Sequence, residues 1–251
     1  MTTAIQTTAT QRVPMTTQRK TALAAGVLYL LTFVSIPTLF IYAAVKSPNY
    51  IIGAGPDTAA IIGGMLELIV GLAGIGAAVA LFPVLKRQNE GVALGLVGSR
   101  VLEAATIFAG VAIILSIVSL RQAGAGAGAL GVSHTLVTMY NRTFLVGQST
   151  MPVVNDLLLG FLLYRSRLVP RALPLLAFCG AALLIASDIG VLFNLWGQFS
   201  ALGTIPALPI ALFEFSLGVW LVVKGFNPAA SILAAPKTAT REQTHEFVSA
   251  D

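Results

Sequence analysis

The sequence predicts an all-α polytopic membrane protein, a bundle of six transmembrane helices with both termini cytoplasmic. Three observations point there. The 251-residue chain is 56% hydrophobic and only 10% charged, with a mean hydropathy of +0.86, whereas a soluble domain carries roughly a quarter charged residues. Its apolar residues gather into six runs, each near the ~20 residues that cross a bilayer. Its Lys and Arg residues cluster in the short segments between those runs, as bilayer topology requires.

The same pattern narrows the function classes. The net charge of +5 invites a nucleic-acid reading, but the basic residues sit at span ends, so no nucleic-acid partner is expected. A single cysteine, Cys179, allows no internal disulfide and no cysteine-based metal centre. His134 reads as a solvated loop residue and His245 as a tail residue, so neither a metal nor another cofactor is expected.

In chain order, residues 1–18 read as a disordered arm rich in Thr and Gln. Met1 and Met15 both fit as the start. Arg19 and Lys20 precede the first helix, about 21–45, which is far longer than the ~7–15-residue core of a signal peptide. Pro37 should kink its outer half. Asp57 or Thr58 caps the second helix, 58–85, in which Glu67 shares a stripe with Gly63, Gly71 and Gly74. Small residues on one face admit a neighbouring helix. Lys86 and Arg87 mark a basic turn before the third helix, 91–120, which carries Arg100 and Glu103. The Ala-Gly tract 123–131 reads as a flexible loop, and its G-x-G-x-x-G spacing has no preceding strand to make it a dinucleotide site. The fourth helix, 143–164, holds Asn155 and Asp156. A second basic turn, Arg165 to Arg171, leads into the fifth, 172–195, with Asp188. The sixth, 205–223, holds Pro206, Pro209 and Glu214. The transmembrane domain thus covers 19–226, and 227–251 reads as a disordered tail.

With the N-terminus inside, eleven Lys and Arg residues face the cytoplasm and three (Lys46, Arg121, Arg142) face out, Arg100 being the last of the fifteen. That bias sets both termini in the cytoplasm of a cell inner membrane. The basic turns also serve as a depth gauge. Arg100 lies nine residues from Gly91 and Glu103 twelve; Asp156 is nine from Arg165, and Glu214 ten from Lys224. At ~1.5 Å per residue all four sit ~13–18 Å deep, near the bilayer middle. Glu67 and Asp188 fall ~25–28 Å deep, as an outer acidic pair.

Charged side chains at membrane depth are costly and mark pathways or buried ties. Arg100 should pair with Glu103, its neighbour one turn away, leaving Asp156 and Glu214 without a cation at their depth. Three readings stay open: a midplane site for a small ion, proton or polar solute; a scaffold or sensor working through helix packing, with a partner or as a homo-oligomer; and an intramembrane enzyme using paired acids. The lipid bilayer is a partner in each.

A set of short strings in order carries a resemblance. They are Leu81-Phe-Pro-Val-Leu85, Glu90-Gly-Val-Ala-Leu-Gly95, Arg100-Val-Leu-Glu-Ala104, Leu163 to Arg171, Glu214, and Trp220 to Phe226. Together they resemble the bacterial membrane-protein family called domain of unknown function 4386, over about Arg19 to Phe226. The resemblance implies an integral membrane protein and implies no activity and no catalytic residue.

Overall fold

The structure, a computed structural model, describes residues 15–233. Nine α-helices, α1 Thr17–Leu31, α2 Thr38–Val45, α3 Thr58–Leu85, α4 Glu90–Gln122, α5 Leu130–Phe144, α6 Thr150–Ser166, α7 Ala172–Leu192, α8 Ala201–Thr204 and α9 Leu208–Val223, make up most of them, joined by short 3-10 and π turns and by loops. They make six spans long and apolar enough to cross a membrane: Thr17–Val45, Thr58–Leu85, Glu90–Gln122, Ala127–Ser166, Ala172–Leu192 and Ala201–Val223.

The spans pack as a closed ring. α1 lies along α3, α3 along α4, α4 along α6, α6 along α7, α7 along α9, and α9 returns to α1. Short connections make sequence neighbours into spatial neighbours. Between helices in lipid the hydrophobic effect is largely spent already, so close van der Waals approach decides the contact. The ring closes on such an approach: a Cβ on Gly26 of α1 would lie 2.8 Å from the Gly218 carbonyl oxygen of α9. Outward faces are apolar, with Phe40 79% and Leu72 62% exposed, as a lipid-facing surface requires.

Three spans are interrupted, each beside a proline. Pro37 has no N–H and its ring crowds the preceding turn, so the first span tightens into a 3-10 turn at Thr32–Ser35 before α2 resumes. Pro152 likewise cannot donate to the Gln148 carbonyl, and a π turn at Leu145–Ser149 precedes it. The Thr150 hydroxyl donates to the Leu145 oxygen at 2.9 Å and so satisfies that carbonyl. Pro206 lies in the 3-10 turn Ile205–Ala207 that joins α8 to α9.

The fourth span is longer than the sequence indicates. Ser133, His134, Thr135, Asn141 and Arg142 make 130–144 look like loop, yet this segment is α5, with Ser133 and Tyr140 buried and one face against α4. His134 is therefore an exposed helical residue. The Ala-Gly tract is a turn through Gly124 and Gly126, both at positive φ, followed by a 3-10 turn at Ala127–Ala129. Asp57 holds the N-cap position of α3, but its side chain caps nothing. It accepts instead from Tyr50, from Arg121 Nη1 at 3.1 Å and from Gln122 Nε2 at 3.1 Å, tying the first loop to the end of α4.

At the other end, the helix begins at Thr17, inside the expected arm, while residues 1–14 lie outside the described set. The expected tail begins packed rather than free. Asn227 donates its backbone N–H to the Leu168 oxygen at 2.8 Å, and Ala230 is buried. Residues 234–251 again lie outside the described set.

Candidate functional site

The ring has two tightly filled ends and a polar middle. Toward the end carrying Lys86, Arg165 and Lys224, the leucines Leu85, Leu96, Leu162, Leu217 and Leu221 are buried in one cluster. Toward the opposite end, Tyr42, Tyr50, Ile114, Ile117 and Tyr140 form another.

Between them, α4 holds Arg100 and Glu103 one turn apart on its inward face. Arg100 is 4% exposed. Its Nη1 donates to Glu103 Oε2 at 2.9 Å, and its Nη2 donates to Glu214 Oε1 on α9. The fork is thus shared between two carboxylates rather than spent on Glu103, which corrects the expectation that Glu214 lacks a cation. Glu103 Oε2 also accepts from Asn155 Nδ2 at 2.8 Å, and the Ser99 hydroxyl donates to Asn155 Oδ1 at 2.5 Å. Tyr29 on α1 places its hydroxyl 3.4 Å from Arg100 Nη2 and its ring 5.5 Å from the guanidinium carbon.

Asp156, fully buried next to Asn155, has no hydrogen-bond partner on either oxygen. Its charged neighbours are Glu214, Arg100 and Glu103. One guanidinium therefore stands among three acids, two of which it touches.

The depth gauge used on the acids also fits residues it was not applied to. Tyr29 is ten residues from Arg19 and Asn155 ten from Arg165, which is the depth of Glu214. Neutral side chains give no charge signal, so neither stood out as part of the layer.

Glu67 and Asp188 do not form one outer site. Glu67, 1% exposed, accepts from the Tyr140 hydroxyl at 3.2 Å, beside Tyr42, Gln148 and Lys46. Asp188 accepts from Ser149 at 2.6 Å and Thr150 at 3.0 Å. Each acid is held by hydroxyls of a different set, Asp188 by Ser149 at the end of the π turn and Thr150 at the start of α6.

Above the Arg100 layer lies a partly open cavity of about 240 Å³. Arg100, Glu103 and Glu214 form its charged floor, and Phe33, Gln148 and Ala207 are among its walls. Those three come from the three interrupted stretches of the spans. Every interruption in the bundle thus meets this one space, and helix breaks at membrane depth occur where backbone lines a cavity or is otherwise re-satisfied.

These features define an integral membrane protein of six spans around a charged central cavity. The chain belongs to the family described as Domain of unknown function (DUF4386), which matches residues 24–225 and so takes in the whole cavity wall. No curated protein and no solved structure matches the chain.

Proposed function

We propose that the protein is a carrier in the bacterial inner membrane, with both termini cytoplasmic, and that its cavity takes up a small ion, proton or polar solute. The observation that carries this reading is the Arg100 fork, shared between Glu103 and Glu214 in the wall of a cavity. A purely structural tie is better served by burial without a cavity, because open space beside an ion pair forfeits packing contacts. Interrupted helices that meet at one cavity within the spans are a general arrangement of membrane carriers, since freed backbone groups and side chains then face the solute. The leucine cluster closes the basic end and the tyrosine-isoleucine cluster the other, so a solute on the charged floor is held between two packed layers.

The glycine stripe of α3 lends the scaffold reading no support. A Cβ on Gly63 would meet the Tyr42 ring, one on Gly71 the Phe108 ring, and one on Gly74 would lie 3.7 Å from Arg100. The glycine stripe of α3 is occupied by this chain's own side chains.

Glu214→Gln tests the proposal in proteoliposomes, where solute and proton flux are read beside thermal stability. Loss of flux with the fold intact supports a carrier. Unchanged flux with altered stability reduces the cluster to a packing device.

A further inference from the structure

A second concave site lies at the basic end, outside the central cavity. The turn between α6 and α7 and the segment after α9 enclose about 510 Å³. Arg167, Arg171 and Lys224 line it with Trp220, Val169 and Asn227, and no acid is among the lining residues. Among the described residues, none of these three cations forms an ion pair.

The site is framed rather than incidental. Asn227 holds the two chain segments together, its N–H donating to the Leu168 oxygen at 2.8 Å and its Nδ2 to the Arg167 oxygen at 3.3 Å. The Arg171 guanidinium carbon sits 4.9 Å over the Tyr164 ring, which limits its motion. Arg171 is also the N-cap residue of α7, with no acid in that helix's first turn to offset its charge. The carbonyl end of α9 would oppose an anion, but Arg19 answers it, donating to the Leu221 oxygen at 2.8 Å and to the Val222 oxygen. Arg167, Arg171 and Lys224 all stand within a residue of a span's end, at the height where lipid phosphates lie.

We infer that this notch binds a phosphate-bearing anion, gripped by Arg167, Arg171 and Lys224. Arginine suits the task because its planar fork matches two phosphate oxygens at once. The phosphate is carried either by an anionic phospholipid headgroup or by a free phosphate ion, and basic pockets between spans are known general sites for the former.

Native mass spectrometry of the full chain in detergent tests the inference, with phosphatidylglycerol and phosphatidylcholine offered in equal amounts and inorganic phosphate added as competitor. The expected result is preferential retention of phosphatidylglycerol. Retention should weaken about fivefold in Lys224→Gln and by on the order of a hundredfold when Arg167→Gln and Arg171→Gln are added. Displacement by millimolar phosphate assigns the site to the free ion; persistence of the lipid assigns it to the headgroup. Arg165→Gln, on the same turn but outside the lining, should change nothing. The inference is overturned if the triple variant holds as much as the parent, or if Arg165→Gln loses as much as Lys224→Gln. The comparison of those two single variants stands even where the triple variant does not fold.

Discussion

Arg100 on α4 donates across the bundle to Glu214 on α9, 114 positions away in the chain, while its other terminal nitrogen holds Glu103 at 2.9 Å. One cation therefore answers two buried acids. Removing one partner of a buried pair leaves an uncompensated charge, which costs about 3–5 kcal/mol. Arg100→Ala strands two carboxylates, whereas Glu214→Gln leaves Arg100 its bond to Glu103. Thermal unfolding in detergent should show Arg100→Ala much the less stable of the two. Equal stability of both variants would mean that the fork is not what holds α4 to α9.

Asp156 supplies the contrast. It is as deeply buried as Arg100 but has no hydrogen-bond partner, and a buried polar group without one is a cost to the fold. Asp156→Asn keeps the shape and removes the ionisable group. Its melting temperature should equal or exceed that of the parent, with a gain of up to about 2 kcal/mol. A clear loss would show that Asp156 acts as a third counter-charge to Arg100.

The charged layer was legible because helical rise is constant, so counting from basic turns places Arg100, Glu103, Asp156 and Glu214 at one depth. The count carries no angular information. It cannot tell which acids the guanidinium touches, and it sets Glu67 and Asp188 at a common depth although different hydroxyls hold them. The six spans were legible from hydropathy, and Pro37 marked its own break. The π turn at Leu145–Ser149 was not, since it depends on Pro152, on the Thr150 hydroxyl and on how closely Gly147 meets α4. The polar residues of α5 hid a helix: Leu136, Val137, Tyr140 and Phe144 pack inward at helical spacing, but Ser133, His134, Thr135, Asn141 and Arg142 among them lower the hydropathy of the segment.

Gly147 sits in that π turn, and a Cβ there would collide with the Thr106 hydroxyl oxygen and Cβ. Thr106 is β-branched and already donates to the Glu103 carbonyl at 2.6 Å, so it has little room to yield. Gly147→Ala should cost about 1–3 kcal/mol by overpacking. Gly98 on α4 has nothing within 4 Å of the same added atom. Gly98→Ala should be neutral or stabilising by up to about 1 kcal/mol, through helix propensity alone. Melting temperatures of the pair decide it; similar effects of opposite expectation would discount the close contact between the π turn and α4.

Outside the spans, the Asp57 carboxyl is held below its ordinary value, first by the Tyr50 hydroxyl and further by Gln122 and Arg121, against some desolvation. A depressed folded-state value contributes stability that is fully present above the ordinary value of 3.8 and is lost as pH falls through the folded value. The tie between the first loop and α4 should therefore hold at neutral pH and weaken only below about pH 4. Proteolysis or hydrogen exchange of residues 49–57 would show an acid-induced opening in the parent. Asp57→Asn should be open already at neutral pH and show no step; an identical acid step in the variant would assign the transition to another group.

The proposed orientation, with the basic end cytoplasmic, can be read directly. Cys179 is exposed on α7, seven residues into a span, where it faces lipid and a charged maleimide does not reach it. Replacing it with Ala gives a background for single cysteines at the two ends of the ring. Gly128 has open space around it, and Ala229 is exposed beside the basic notch. If the basic end bearing Lys86, Arg165 and Lys224 is cytoplasmic, as proposed, Gly128→Cys should react with an impermeant maleimide in intact cells, and Ala229→Cys only after permeabilisation. The reverse pattern would turn the bundle over. The leucine-packed basic end would then face outward.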